Sequence, residues 1–113
     1  MTPPLDQNLL AQFRKIDDFF TQTYPNQPRD VKILARLSKI TEEVGELTNE
    51  VHGLLGFHKA SSHKTSSQEN LIKEWADVFN TVVLMGMCLD IDCNKAIEAR
   101  MKDIFERYQL KND

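Results

Sequence analysis

The chain has 113 residues, of which 41% are hydrophobic and 27% charged, a composition typical of one soluble globular domain and not of a disordered or fibrous protein. The net charge of −3 argues against nucleic-acid binding, which normally relies on a surplus of Lys and Arg. No apolar stretch approaches the roughly 20 residues that cross a membrane, and the N-terminal residues lack the apolar core of an export signal. We therefore expect a single cytoplasmic domain over residues 1–113, with no membrane partner.

Apolar residues recur at helical spacing, and turns rich in Gly and Pro divide them into four segments. The first segment predicts a helix from about Leu5 to Thr21, which ends before the Pro-containing turn at residues 24–28. The second helix is predicted to begin near Asp30, as its N-cap, and to end at about His52, just before two glycines.

A stretch rich in Ser, His and Lys, from Phe57 to Ser67, is predicted to be a mobile loop. The third helix is predicted to begin at a capping box formed by Ser66 and Glu69 and to continue to about Asp90. The third helix itself is therefore predicted over about residues 68–90.

A fourth, amphipathic helix is predicted from the N-cap Asp92 to about Tyr108. The third helix is apolar nearly all round from Trp75 to Leu89, which is typical of a helix that is covered on every side. Three other short helices can hardly cover it. The sequence therefore predicts an all-α, four-helix bundle completed by oligomerisation, as a homodimer or a tetramer.

Two acidic pairs stand in the predicted second and third helices. Glu43 and Glu46 lie three residues apart, as do Glu74 and Asp77, so each pair projects from one face of its helix. On facing helices they would form a nest of four carboxylates, which would repel one another unless a cation neutralised them. Oxygen ligands favour Mg²⁺, with Mn²⁺ as a possible substitute.

The order of these motifs, Glu-Glu-x-x-Glu from Glu42 to Glu46 and then, after residues 47–73, Glu-x-x-Asp, resembles the signature of the MazG-like all-α nucleoside triphosphate pyrophosphohydrolases. That family is related to the dimeric dUTPases and the small dCTP pyrophosphatases. The resemblance implies Mg²⁺-dependent hydrolysis of a nucleoside triphosphate to the monophosphate and pyrophosphate, in dNTP house-cleaning or pool control. It implies Glu42 as the catalytic residue that orients or deprotonates water, and four metal ligands: Glu43, Glu46, Glu74 and Asp77.

The resemblance covers about residues 30–108 and also implies that basic residues of the last helix bind the phosphates. Lys39 stands one turn before the first acidic pair, and Asn80 follows the second pair by one turn. We expect substrate contacts from five residues, of which the four basic ones have a solvated surface role as their alternative: Lys39, Asn80, Lys95, Arg100 and Arg107.

Three alternatives compete with this interpretation. The acidic residues of the second helix, with Glu50 among them, can instead be a solvated face. A carboxylate-bridged di-iron bundle needs Glu-x-x-His motifs, and no histidine here has an acidic residue three positions before it, so His52, His58 and His63 are expected to have surface or loop roles. A non-enzymatic helical interaction or regulatory module could use the acidic face to bind another protein.

Overall fold

The computed structural model describes residues 3–57 and 66–112, and these residues form four α-helices and no strand. The all-α prediction is confirmed, and the predicted helix ends agree with the observed ones to within about two residues. Most of the predicted loop, with His58 and His63, lies outside the described residues. The helices are α1 (Gln7–Thr23), α2 (Arg29–Leu54), α3 (Gln68–Cys88) and α4 (Cys93–Arg107).

Two helices begin at Asp side chains. The Asp6 carboxylate accepts the Leu9 N–H at 2.8 Å at the start of α1, and the Asp92 carboxylate accepts the Lys95 N–H at 3.1 Å at the start of α4. Each carboxylate satisfies one of the free N–H groups of a first helical turn. The predicted N-cap of α4 is therefore confirmed.

The predicted N-caps of the other two helices are wrong by one or two residues. α2 begins after Pro28, whose backbone is extended (φ −60°, ψ 151°), so Asp30 lies inside the first turn. α3 begins after Ser67, whose side chain accepts the Asn70 N–H at 3.1 Å, in place of the predicted capping box from Ser66. Because Ser66 and Ser67 offer the same capping chemistry, a contact elsewhere in the fold must determine which of them is the N-cap of α3.

Three helices end with the same turn, in which the residue after the C-cap has a left-handed backbone. Gly56 adopts this conformation without strain because it has no Cβ atom. Asp90 (φ 56°) and Gln109 (φ 55°) adopt it despite the steric strain that their Cβ atoms cause. The closing bonds of these turns are short: Phe57 N–H to His52 O (2.8 Å), Ile91 N–H to Gly86 O (2.9 Å) and Leu110 N–H to Phe105 O (2.8 Å).

α2 and α3 pack along each other as an antiparallel pair, and α1 packs on α3. Arg36 links all three helices: its guanidinium donates to Asp17 of α1 at 2.8 Å and to the Leu84 carbonyl of α3 at 3.3 Å, and it lies over the Phe20 ring at 5.4 Å. The apolar core between the helices is small and contains five buried residues: Leu5, Phe13, Val83, Leu84 and Cys88.

α4 leaves the far end of α3 and packs extensively on none of the other helices. Its first turn is tied to the N-terminal segment by Asn94, whose amide group accepts the Leu5 N–H at 2.8 Å and donates to the Leu5 carbonyl at 2.9 Å. One side of α4, with Ile97, Met101 and Phe105, lines a largely apolar groove together with Pro4 and Leu110. This helix is therefore anchored at one end only.

A single chain leaves much apolar surface uncovered. Its radius of gyration is 17.5 Å, against about 13 Å for a compact domain of this length, and its accessible surface is 8899 Å², against about 6400 Å² for a compact monomer of this mass. Trp75 and Val82 of α3 are 62% and 50% exposed, so the chain's own helices leave one side of α3 uncovered. Oligomerisation stays a prediction. Among the described residues, no helix is both long and apolar enough to cross a membrane.

Candidate metal-binding and active site

Three of the four predicted metal ligands lie together between α2 and α3. Each of Glu43, Glu46 and Glu74 offers a carboxylate oxygen that lies within 4.8 Å of those of the other two. The helical spacing of three residues places Glu43 and Glu46 on one face of α2, and the antiparallel packing of α3 brings Glu74 to that face. Such a group of hard oxygen donors is of the kind that holds a divalent cation.

The burial of the three carboxylates differs. Glu43 is 7% exposed, Glu74 is half-buried and Glu46 is open to solvent. The interpretation of the acidic residues of α2 as a solvated face is therefore wrong for Glu43, and it is also wrong for Glu50, which is 1% exposed. At a site of this kind the buried donors can coordinate a cation from one side, while the exposed side stays open to a ligand.

Two oxygens of this cluster are buried without a hydrogen-bond partner among the described residues: Glu43 Oε2 and Glu74 Oε2. Leaving a buried acceptor unpaired costs about 1–3 kcal/mol, and more when the group is charged. A divalent cation bound between the two helices would satisfy both oxygens at once. The donor set therefore fits a hard cation such as Mg²⁺ or Mn²⁺.

Lys39 reaches this site, as the sequence predicted. Its ammonium group lies 3.2 Å from Glu42 Oε1 and 3.3 Å from Glu43 Oε1. The hydrogen bonds to Glu42 and Glu43 raise the pKa of Lys39, so the group stays a cation. Because Lys39 occupies Oε1 of Glu43, the carboxylate divides its two oxygens between an ammonium group and the buried cluster.

Asp77 stands apart from the compact group. It lies on α3 one turn after Glu74, is half-buried, and is not among the three carboxylates that lie within 4.8 Å of one another. Asn80 follows one turn later on α3 and is also half-buried. The structure therefore brings together three of the four predicted ligands, and the fourth stays a prediction.

The three predicted phosphate contacts on α4 belong to a helix that does not pack extensively on α2 or α3, the two helices that carry the cluster. Lys95 lines a cavity of about 730 Å³ with Met87, at the opposite end of α3 from Glu74. Thirteen residues of α3 separate Glu74 from Met87, which corresponds to about 20 Å along the helix axis. Arg100 pairs with Asp103 at 3.0 Å, and Arg107 is exposed near the end of α4. Sequence spacing could not predict this separation, because it depends on the direction in which α4 leaves α3.

Other residues have surface or packing roles. His52 is exposed, as expected, and its ring meets the edge of Phe57 with 6.2 Å between centroids. The Trp75 and Phe79 rings lie parallel along α3, with 6.2 Å between their centroids. Cys88 and Cys93 are free thiols, and burial raises the pKa of Cys93.

The sequence analysis did not single out Glu50 as a functional residue. It stands seven residues after Glu43 and four after Glu46, so that all three share one face of α2. This spacing was the available signal, and it was hidden by the general expectation that runs of Glu are solvated.

No family model, curated protein or solved structure matches this chain. The family resemblance therefore depends on the two acidic motifs and their separation.

Proposed function

We propose that this protein is a Mg²⁺-dependent nucleoside triphosphate pyrophosphohydrolase of the MazG-like kind, which releases pyrophosphate and a nucleoside monophosphate. The observation that carries the proposal is the pair of buried, unpartnered oxygens, Glu43 Oε2 and Glu74 Oε2, on two carboxylates that belong to a group with oxygens within 4.8 Å of one another. An acidic surface that only solubilises a helix has no reason to bury such oxygens. The motif order adds the reaction class.

The chain's carboxylates would hold the cation, with Glu43, Glu46 and Glu74 as the core set and Asp77 as the fourth ligand. When bound, Mg²⁺ would neutralise charge on the phosphate oxygens and lower the pKa of a coordinated water. Movement of the Asp77 side chain by a change of rotamer is enough to bring a residue one turn away toward its helical neighbour.

Glu42 is the candidate for orienting or deprotonating the attacking water. Its carboxylate is half-exposed next to the cluster, and Lys39 bridges it to Glu43. The bridge restrains Glu42 at the mouth of the site, where one carboxylate oxygen can accept a proton from water. The Lys39 ammonium group, which contacts Glu43 of the cluster, can also contact a phosphate of the substrate, as can Asn80 by hydrogen bonding from α3.

We propose further that the working unit is a homo-oligomer, a dimer or a tetramer. Exposed apolar residues recur on α2 at spacings of three and seven, and Val51 of this stripe lines one groove with Ile72 and Trp75 of α3. A second copy could cover this apolar surface, and α4 of that copy could bring Lys95, Arg100 or Arg107 to the cluster. Closed two-fold pairing is the commonest arrangement.

The competing proposal is a non-enzymatic module that binds another protein through an acidic face. The burial of Glu43 disfavours it, because a docking face presents its charges to solvent. The two proposals differ in their products. A module releases no pyrophosphate from any nucleotide.

The test is a pyrophosphate-release screen over all ribo- and deoxyribonucleoside triphosphates with Mg²⁺, followed by chromatography of the products. We expect at least one nucleotide to give its monophosphate and pyrophosphate in a reaction that EDTA abolishes. Glu69→Gln is the matched control, because it removes one carboxylate from the exposed surface of α3 and should leave the rate unchanged. A nucleoside diphosphate as the main product, or no product from any nucleotide, would refute the proposal.

A further inference from the structure

Glu50 is the one large side chain that is fully buried among the described residues, with 1% of its surface exposed. Its Oε1 atom accepts the Ser67 N–H at 2.8 Å, across from α2 to the N-cap of α3. Carboxyl groups are rarely buried to this degree without a specific partner. The contact joins the two ends of the connection between α2 and α3.

Apolar packing alone leaves the sliding of one helix along another weakly defined, because similar side chains follow at each turn. A buried hydrogen bond is directional and expensive to leave unmade, so it selects one register. The positive end of the α3 helix dipole at Ser67 adds to the preference for a carboxyl group at this point. The bond also explains why α3 begins after Ser67 and not after Ser66.

The same register places the metal-binding carboxylates opposite each other. Glu43 stands seven residues before Glu50 on α2, and Glu74 stands seven residues after Ser67 on α3. Because the two helices run antiparallel with the same rise per residue, Glu43 and Glu74 each lie about 10 Å along the helix axis from the Glu50–Ser67 bond. A slip of one residue at the bond would displace Glu74 relative to Glu43 by about 1.5 Å along the axis and rotate it by about 100°.

We propose that Glu50 is a positioning residue, which sets the register of α3 on α2 through Ser67 and thereby holds Glu74 opposite Glu43. The proposal depends on the proposed function in one respect, that the Glu43–Glu46–Glu74 cluster binds a divalent cation. Glu50 itself lies outside that cluster.

The deciding variant is Glu50→Met, which fills a similar volume without a buried charge and cannot accept a hydrogen bond from Ser67. Removal of the acceptor leaves the Ser67 N–H unpaired and lowers the stability, but the methionine side chain fills the space of Glu50, so we expect the protein still to fold. Its dissociation constant for Mn²⁺, measured by electron paramagnetic resonance at a temperature well below unfolding, should rise about tenfold or more. Glu50→Gln keeps an acceptor oxygen at the same reach and should restore the affinity to within about threefold of the wild type.

A second measurement follows the bond without the metal. The Ser67 amide should exchange with solvent faster in Glu50→Met than in the wild type, and Glu50→Gln should retain most of its protection. Glu69→Gln, on the exposed surface of the first turn of α3, is the matched control and should change neither quantity. A residue with a merely structural role would lower the unfolding temperature and leave the Mn²⁺ affinity of the folded protein unchanged.

The outcomes are distinguishable. A wild-type protein that does not bind Mn²⁺ refutes the metal site and with it the proposed function, whereas wild-type binding that persists in Glu50→Met overturns the positioning role alone. Should Glu50→Met not fold, Glu50→Asp gives the same decision, because the shorter side chain cannot reach Ser67 in the same register and should weaken Mn²⁺ binding about fivefold or more. An Asp variant with wild-type affinity would overturn the proposal.

Discussion

Changing Val82 to Lys is expected to dissociate the proposed homo-oligomer. Val82 lies on an uncovered side of α3 and is 50% exposed, and Trp75 stands on the same side seven residues, or about two helical turns, before it. Leu34 of α2 is about level with it in the antiparallel pair and is 60% exposed. If these side chains are exposed in solution, a lysine at this position is an ordinary surface substitution, worth less than about 0.5 kcal/mol.

The magnitude is larger if a second copy covers the stripe. The accessible surface exceeds that of a compact monomer by about 2500 Å², and even half of that excess is more than the roughly 800 Å² per partner of a standard interface. Burying the exposed half of Val82 is worth about 0.8 kcal/mol, and placing an ammonium group there costs at least about 1–2 kcal/mol more. Two-fold symmetry doubles both effects, to about 4 kcal/mol, so the dissociation constant should rise about a thousandfold.

Sedimentation equilibrium at micromolar concentration measures this directly. The wild type should sediment at a multiple of 13.1 kDa and Val82→Lys at the monomer mass. The Val82→Lys monomer should also lose part of its helicity on heating. Val82→Thr is the matched control, because it keeps the β-branched shape and should remain assembled. A stable wild-type monomer, or an oligomer that Val82→Lys leaves intact, would refute the inference that a second copy covers α3.

Four further variants test the site and the fold. Glu43→Gln and Asp77→Asn are each expected to abolish pyrophosphate release with the circular dichroism of the wild type, since each removes one oxygen ligand and also reduces repulsion between carboxylates; near wild-type turnover in both would disprove the assignment. Gln109→Gly should raise the free energy of unfolding in urea by about 0.5–1 kcal/mol, because glycine takes the left-handed conformation without strain, and a lower urea midpoint would contradict this. Asn94→Ala should lower the free energy of unfolding by about 1–3 kcal/mol, because the buried Leu5 backbone loses a donor and an acceptor; unchanged urea curves would show that this tie is dispensable.

The helices and the acidic pairs could be predicted because they depend on local periodicity. Four segments with apolar residues at helical spacing give four helices whatever their partners, and a spacing of three residues puts Glu43 and Glu46 on one face in any α-helix. The left-handed ends at Asp90 and Gln109 were not predicted, because a residue with a Cβ atom adopts this conformation less readily than glycine, the usual residue at this position.

The tertiary structure alone decided which carboxylates are buried and which meet. Glu43 and Glu50 are covered because α3 packs against that side of α2, and this depends on the register between two helices that residues 55–67 separate in the sequence. Residues on different elements have no fixed relation in the sequence, so the distance of Asp77 and of Lys95 from the cluster follows from packing and not from spacing. Local rules act over three or four residues, whereas the register of two helices and the direction of a helix depend on long-range contacts. In this fold, the buried hydrogen bond between Glu50 and the Ser67 N–H is the long-range contact that links α2 to the start of α3.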